Sequence, residues 1–333
     1  MTKTVYVSLA LFLIVIIFAG CKSQSPSPSV TSTIYGTLKI TTGFDNNMWF
    51  TESGSNKIGK ISPENGKVTE YNIPTPNAST YAIATGTDNN IWFTERGSSK
   101  IGKTSAQTGK ITEYNLPTEN AAPDAIVAGP DKNMWFTESG AGKIGKISTQ
   151  SGEITEYNIP TENAAPDAIA AGPDKNMWFT ESGADKIGKI STHSGEITEY
   201  NIPTENAAPD AIAAGPDNNM WFTESGSSKI GKISPQTGEI TEYNIPTENA
   251  APTAIAAGPD NNMWFTESRS NKIGKISLQS GKGIEYNIPT DNTSPDAISL
   301  GLDNDLWFTE SKSNKIGKIS PSTGVITEYP FGN

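Results

Sequence analysis

Residues 154–196 read ITEYNIPTENAAPDAIAAGPDKNMWFTESGADKIGKISTHSGE, and close copies of this string fill most of the chain. Four short segments in and just after it are β-rich or alternating: Asp167–Gly172, Met177–Glu181, Lys186–Ser191 and Ile197–Ile202. Turn chemistry separates them. Gly172-Pro173-Asp174-Lys175-Asn176 and Ser194-Gly195 supply the fixed proline φ, the local Asx hydrogen bonds and the glycine freedom that tight reversals need. No segment has the length or the 3.6-residue period of a helix. The reading is four antiparallel strands per copy.

The copies are counted by their tryptophans, Trp49, Trp92, Trp135, Trp178, Trp221, Trp264 and Trp307, each 43 residues after the last. A four-stranded unit returning at this period is the signature of a propeller blade. A lone blade leaves both sheet faces wet, so neighbours must cover them and the ring must close. The fold class expected is all-β: a seven-bladed β-propeller of four-stranded antiparallel blades over residues 33–333. Side chains alternate along a strand, so Trp and Phe of each WFTE lie on opposite faces and anchor both neighbours. Lys39–Gly43 aligns with a first strand and Val325–Tyr329 with a last one, so each blade is complete in contiguous sequence. Thr31–Thr37 could still add a clasp beside the final blade.

Composition excludes several functions. The 333 residues carry 25 Lys+Arg against 36 Asp+Glu, a net charge of −11, so there is no basic surface to displace counterions from nucleic acid. One His and one Cys rule out a Cys/His zinc cluster and a disulfide framework.

The first 20 residues, MTKTVYVSLALFLIVIIFAG, read as a signal peptide: Lys3, then an apolar run from Val5 to Phe18. Phe18-Ala19-Gly20-Cys21 resembles the lipobox of prokaryotic lipoproteins, with Cys21 as the lipid-bearing residue; an ordinary signal peptide followed by an incidental Cys is the plainer alternative. Lys22–Ser32 is a Ser/Pro-rich tether. The expected location is the cell surface or the periplasm, with membrane contact through the lipid alone and a monomeric propeller.

The repeated words GPDxNMWFTE, NKIGKIS and ITEYNIPT resemble those of the virginiamycin B (streptogramin) lyase family across residues 33–333. The resemblance implies a seven-bladed propeller and a magnesium-assisted elimination that opens a cyclic depsipeptide at its ester. It further implies a site at the funnel mouth. That site has a His at the start of the inner strand of blades six and seven, a Glu two residues before the second His, and a Glu ending the WFxE strand of blade seven. Here those positions hold Thr253, Asp296, Ser294 and Glu310, so the last alone matches. The sole histidine, His193, falls in a turn at the opposite end of blade four.

Two polar rings are expected at one mouth. Leu38, Tyr81, Asp124, Asp167, Asp210, Thr253 and Asp296 start the inner strands. Glu52, Glu95, Glu138, Glu181, Glu224, Glu267 and Glu310 end the second strands. Together they suit a hard cation, magnesium or calcium, with Glu310 and Asp296 as candidate ligands, or a cationic ligand. The plainer reading pairs each Glu with the Lys five residues on (Lys57, Lys100, Lys143, Lys186, Lys229, Lys272, Lys315) across a hairpin, and lets the Asp ring accept turn amides. One ligand must break the sevenfold pattern, so Tyr81, Thr253, Arg96, Arg269 and Lys312 stand out. The Asp-Asn-Asn turns read as tight turns, not as calcium loops.

Two functions follow as expectations. The first is a non-enzymatic binding module whose partner at the funnel is a small molecule, a glycan or an envelope protein, the near-identical blades suiting multivalent contact. The alternative is a metal-dependent C–O lyase or a propeller lactonase.

Overall fold

The computed structural model describes residues 39–62, 67–301, 303–313 and 315–330. The signal segment, Cys21, the tether, Thr31–Thr37 and Leu38 lie outside the described residues. Twenty-eight strands form seven four-stranded antiparallel sheets, each a meander of consecutive strands, and among the described residues there is no helix. Blade four shows the plan: Pro166–Ala171, Met177–Glu181, Lys186–Ile190 and Ile197–Asn201, with Phe179 opposite both Ile169 and Gly188. The expected strands agree to within a residue or two at each end. First strands of blades one to seven follow one another as neighbours, so they line the axis, while fourth strands such as Ile197–Asn201 alternate exposed and half-buried at the rim.

The core is a set of seams between blades. Trp178 and Ile187 of blade four meet Met220, Phe222 and Ile233 of blade five, all fully buried. Burying residues of this size stabilises each seam by about 1.5–3 kcal/mol per side chain. Trp178 stacks on Tyr200 of its own blade at 5.7 Å, and its indole N–H donates to Asp174 Oδ1 at 3.0 Å. The Asp of each Gly-x-Asp turn therefore caps a tryptophan, as Asp131 does for Trp135 and Asp217 for Trp221. Two glycines per repeat have a steric reason. A Cβ on Gly188 would stand 2.1 Å from Phe179, and Gly195, at φ +75°, would set one 2.1 Å from Tyr157 of the preceding blade.

No sheet mixes early and late strands, so among the described residues the ring closes face to face, without strand exchange. Met48 at 0% and Trp307 at 3% exposure sit on the two faces that closure covers.

Candidate ligand site at the channel mouth

In blades two to seven the inner strand enters through a bulge. Pro166 pairs with Glu181 and Ile169 with Phe179, leaving Asp167 inside the irregularity. Bulges re-aim side chains, and here they turn the ring residue toward the axis. The buried Thr of WFTE then locks the ring. Thr180 Oγ1 accepts the Ala168 amide at 3.0 Å and donates to the Asp210 carbonyl of the next blade at 3.0 Å. Thr94, Thr137 and Thr266 hold the carbonyls of Asp124, Asp167 and Asp296 in the same way. Sequence reasoning missed this role, although a Thr repeated directly after the two packing anchors in every copy was its visible signal.

Tyr81 stands where most blades have Asp, within electrostatic reach of Asp167, Asp124, Asp296 and Asp210. Burial and those four carboxylates push its hydroxyl up to about 12. Burial, then Asp124, raises Asp167 to about 6; burial, then Asp167 and Asp296, raises Asp210 to about 7. Asp124 is raised by burial, against a Ser139 hydrogen bond and the Arg96 charge. The Arg96 guanidinium lies 5.5 Å over the Tyr81 ring, with Nε 2.9 Å from Asp124 Oδ1 but off the line of a hydrogen bond. Lys39 Nζ is 5.9 Å over the same ring. Among the described residues no backbone amide donates to these carboxylates, contrary to the turn-amide reading. Lys39 escaped the sequence reading, but it stands where the other blades carry Ala82, Ala125, Ala168, Ala211, Ala254 and Ala297. Thr253 spends its hydroxyl on Thr266 at 3.0 Å and the Asp296 carbonyl at 3.3 Å. Arg269 and Lys312 are exposed on the loops after the second strand.

The glutamates share this end of each blade but do not front the channel. Glu95, Glu138, Glu181, Glu224 and Glu267 are fully buried in the seams, and each keeps at least one oxygen without a hydrogen-bond partner. Each pairs in register with the expected Lys, as Glu138 does with Lys143. The ammonium, however, turns to the fourth strand: Lys143 Nζ reaches Glu156 Oε2 at 2.8 Å and Thr118 Oγ1 at 2.6 Å. The Glu–Lys ion pairs read from sequence are corrected accordingly. The lysine prefers a carboxylate that keeps some access to water and is already held by Thr118 to one sealed in a dry seam. Burial, then Glu156, lifts Glu138 to about 8, and burial with Glu199 lifts Glu181 to about 8. Glu95, Glu224 and Glu267 rise to about 7, burial being the first cause in each.

Glu310 follows its siblings: it is 1% exposed, accepts the Ser313 hydroxyl at 2.7 Å and faces Glu328. Among the described residues no three His, Cys, Asp or Glu side chains are placed to hold a metal ion. Of the two candidate ligands, Glu310 is buried in its seam and Asp296 stands in the mouth ring. His193 lies in an exposed turn after the third strand of blade four, at the end away from the mouth.

A seven-bladed ring with these words and this mouth has relatives. The virginiamycin B lyase family model matches residues 22–237 and again 214–333. The chain belongs to the virginiamycin B lyase family. Selenomethionine-substituted virginiamycin B lyase from Staphylococcus aureus superposes with a TM-score of 0.79 at 39% identity, over 86% of this chain and 96% of that one. A catalytically inactive histidine-to-alanine form of that enzyme with quinupristin gives 0.78 at 39% identity, over 87% and 96%. A streptogramin B lyase gives 0.76 at 39% identity, over 88% and 93%. No curated protein matches significantly.

Proposed function

We propose that this family member is a ligand-binding propeller, taking its ligand at the channel mouth without catalysing the elimination. The observation that carries this reading is the convergence of Tyr81, Asp124, Asp167, Asp210 and Asp296 on one electrostatic site that includes no imidazole. The chain's one histidine stands at the far end of blade four. General acid–base groups contribute about 10²–10⁴-fold to such reactions, and Thr253 offers none at its position. The test is incubation of the full-length protein with quinupristin, read by calorimetry and mass spectrometry. A bound, intact ring is expected; accumulation of the linear product above the spontaneous rate overturns the proposal.

A second reading keeps the lyase reaction and makes Asp210 its base. Its support is the rise of that carboxyl to about 7, the range a base needs at neutral pH. In that case Asp210→Asn abolishes turnover. We also propose export as a lipoprotein on Cys21, supported by the apolar leader and the Ser/Pro tether. Palmitate labelling that survives Cys21→Ser would refute it.

A further inference from the structure

The mouth is not evenly acidic. The two cations that act on its carboxylates and its aromatic ring gather on one side: Lys39 on blade one, Tyr81 and Arg96 on blade two, while Arg269 and Lys312 stay on the exposed loops of blades six and seven. Its carboxylates lie on blades three, four, five and seven. In a chain of near-identical copies, positions 39, 81 and 96 depart from Ala, Asp and Ser, and these three departures meet within 5.9 Å. Drift on exposed loops has no reason to converge on one point.

The groups gathered there are also underused. Asp124 is 4% exposed, yet its Oδ1 accepts no hydrogen bond. Arg96 pairs with Asp124 through Nε alone, its side chain is 49% exposed, and its two terminal nitrogens are unengaged among the described residues. Lys39 Nζ has the Tyr81 ring as its only direct contact there. Across the mouth, the carboxylates of Asp167, Asp210 and Asp296 accept no hydrogen bond from any described residue.

A simple cation would satisfy the carboxylates but meet Arg96 and Lys39. A simple anion would satisfy those two but face four aspartates. A ligand carrying both charges completes both sides and leaves the net charge of the mouth unaltered. We propose that the mouth binds a zwitterion with free amino and carboxyl ends, a free amino acid or a short peptide. Its carboxylate sits on Arg96 and Lys39, its ammonium lies among Asp167, Asp210 and Asp296, and its body crosses the Tyr81 ring. Arg suits the carboxylate because two parallel N–H donors match two oxygens. This inference rests on the mouth being the binding site.

The test is calorimetry on the full-length protein with tetraglycine, its C-terminal amide, its N-acetyl derivative and glycine. A hydrogen bond to a charged group is worth about 1.5–3 kcal/mol, so removing either terminal charge is expected to weaken binding about 10- to 100-fold. Arg96→Ser installs the residue of the other blades and keeps the fold; it should reduce tetraglycine to the level of its amide. Asp210→Asn should reduce it to the level of the acetylated form. Glycine as tight as tetraglycine marks a free amino acid, and weaker glycine marks a peptide. An amide or an acetylated form that binds as well as the parent overturns the inference. If quinupristin binds and no glycine compound does, the zwitterion falls and the binding mouth stands. If nothing binds, both fall.

Discussion

At the scale of single residues, the repeat is held by contacts that tolerate no spare atom. Phe179 lies flat on Gly188, and a methyl group there would stand 2.1 Å from the ring. Overpacking of this kind costs about 1–3 kcal/mol, so Gly188→Ala should lower the unfolding free energy by that amount, read as a lower urea midpoint at unchanged slope. An unaltered midpoint would mean that the ring slides aside freely. Trp178 meets a second demand, because its buried indole N–H needs the Asp174 carboxylate. Asp174→Ala should destabilise by about 1–3 kcal/mol, the cost of a buried donor left without a partner, and Asp174→Asn should recover most of it. Asp174 was legible in sequence as punctuation, read with Gly172 and Gly195 as a turn former, while Gly188 was read as part of a strand. Their packing partners were not, because Phe179 meets Gly188 only through cross-strand register and Tyr157 meets Gly195 only after blades stack. Arg96 and Tyr81 were legible as departures from a pattern, whereas their contact with Lys39 needed the ring.

At the scale of the blade, the second strand carries a conflict. MWFTE is buried along its whole length, so its glutamate enters the seam with the aromatics. Alternation placed Trp and Phe correctly, and cross-strand register placed Glu beside Lys correctly. What register could not reveal is the competing acceptor on the fourth strand, two positions further along the same face. Glu181 and Glu199 face each other with Lys186 near both, so one proton is retained where two carboxylates would repel. The consequence for stability has a definite sign. The unfolded carboxyl has its ordinary value of 4.5, and burial pushes the folded one up to about 7 or about 8. The folded state therefore holds extra protons in that window, and stability falls as pH rises from about 5 to 8. While a group is protonated only when folded, its contribution to the slope is about 1.4 kcal/mol per pH unit. Urea midpoints at pH 5.5, 7 and 8.5 should decrease in that order. Glu181→Gln, which keeps the shape and removes the titration, should flatten the trend. A midpoint that rises across this range would show that the seams take the ionised form without penalty.

At the scale of the whole molecule, seven was countable because each copy brings one tryptophan and no insertion. A constant 43-residue interval leaves few alternatives once each unit has two apolar faces. How the circle is sealed was not countable, since closure joins distant parts of the chain and leaves no local pattern. Among the described residues every sheet is built from consecutive strands, so the seal between blades seven and one is a seam like the others, with no shared strand among them to bolt it. The other six seams each join blades that are also linked through the chain, and each has a cluster such as that of Trp221 with Met263 and Phe265. Among the described residues the seventh holds by packing, without the chain link that joins every other neighbouring pair of blades. Local opening begins where the fewest contacts hold neighbouring units together. Hydrogen exchange read by mass spectrometry should therefore show the weakest protection in Met48–Glu52 and Leu306–Glu310, whose equivalents in blades three to five exchange last. Protection that is uniform around the ring would show that the seventh seam is as strong as the rest. The mouth spans this seam, with Lys39 on one side and Asp296 on the other. A zwitterion bound across it would cross-link the weakest joint, so tetraglycine should slow exchange in blades one and seven more than in blade four.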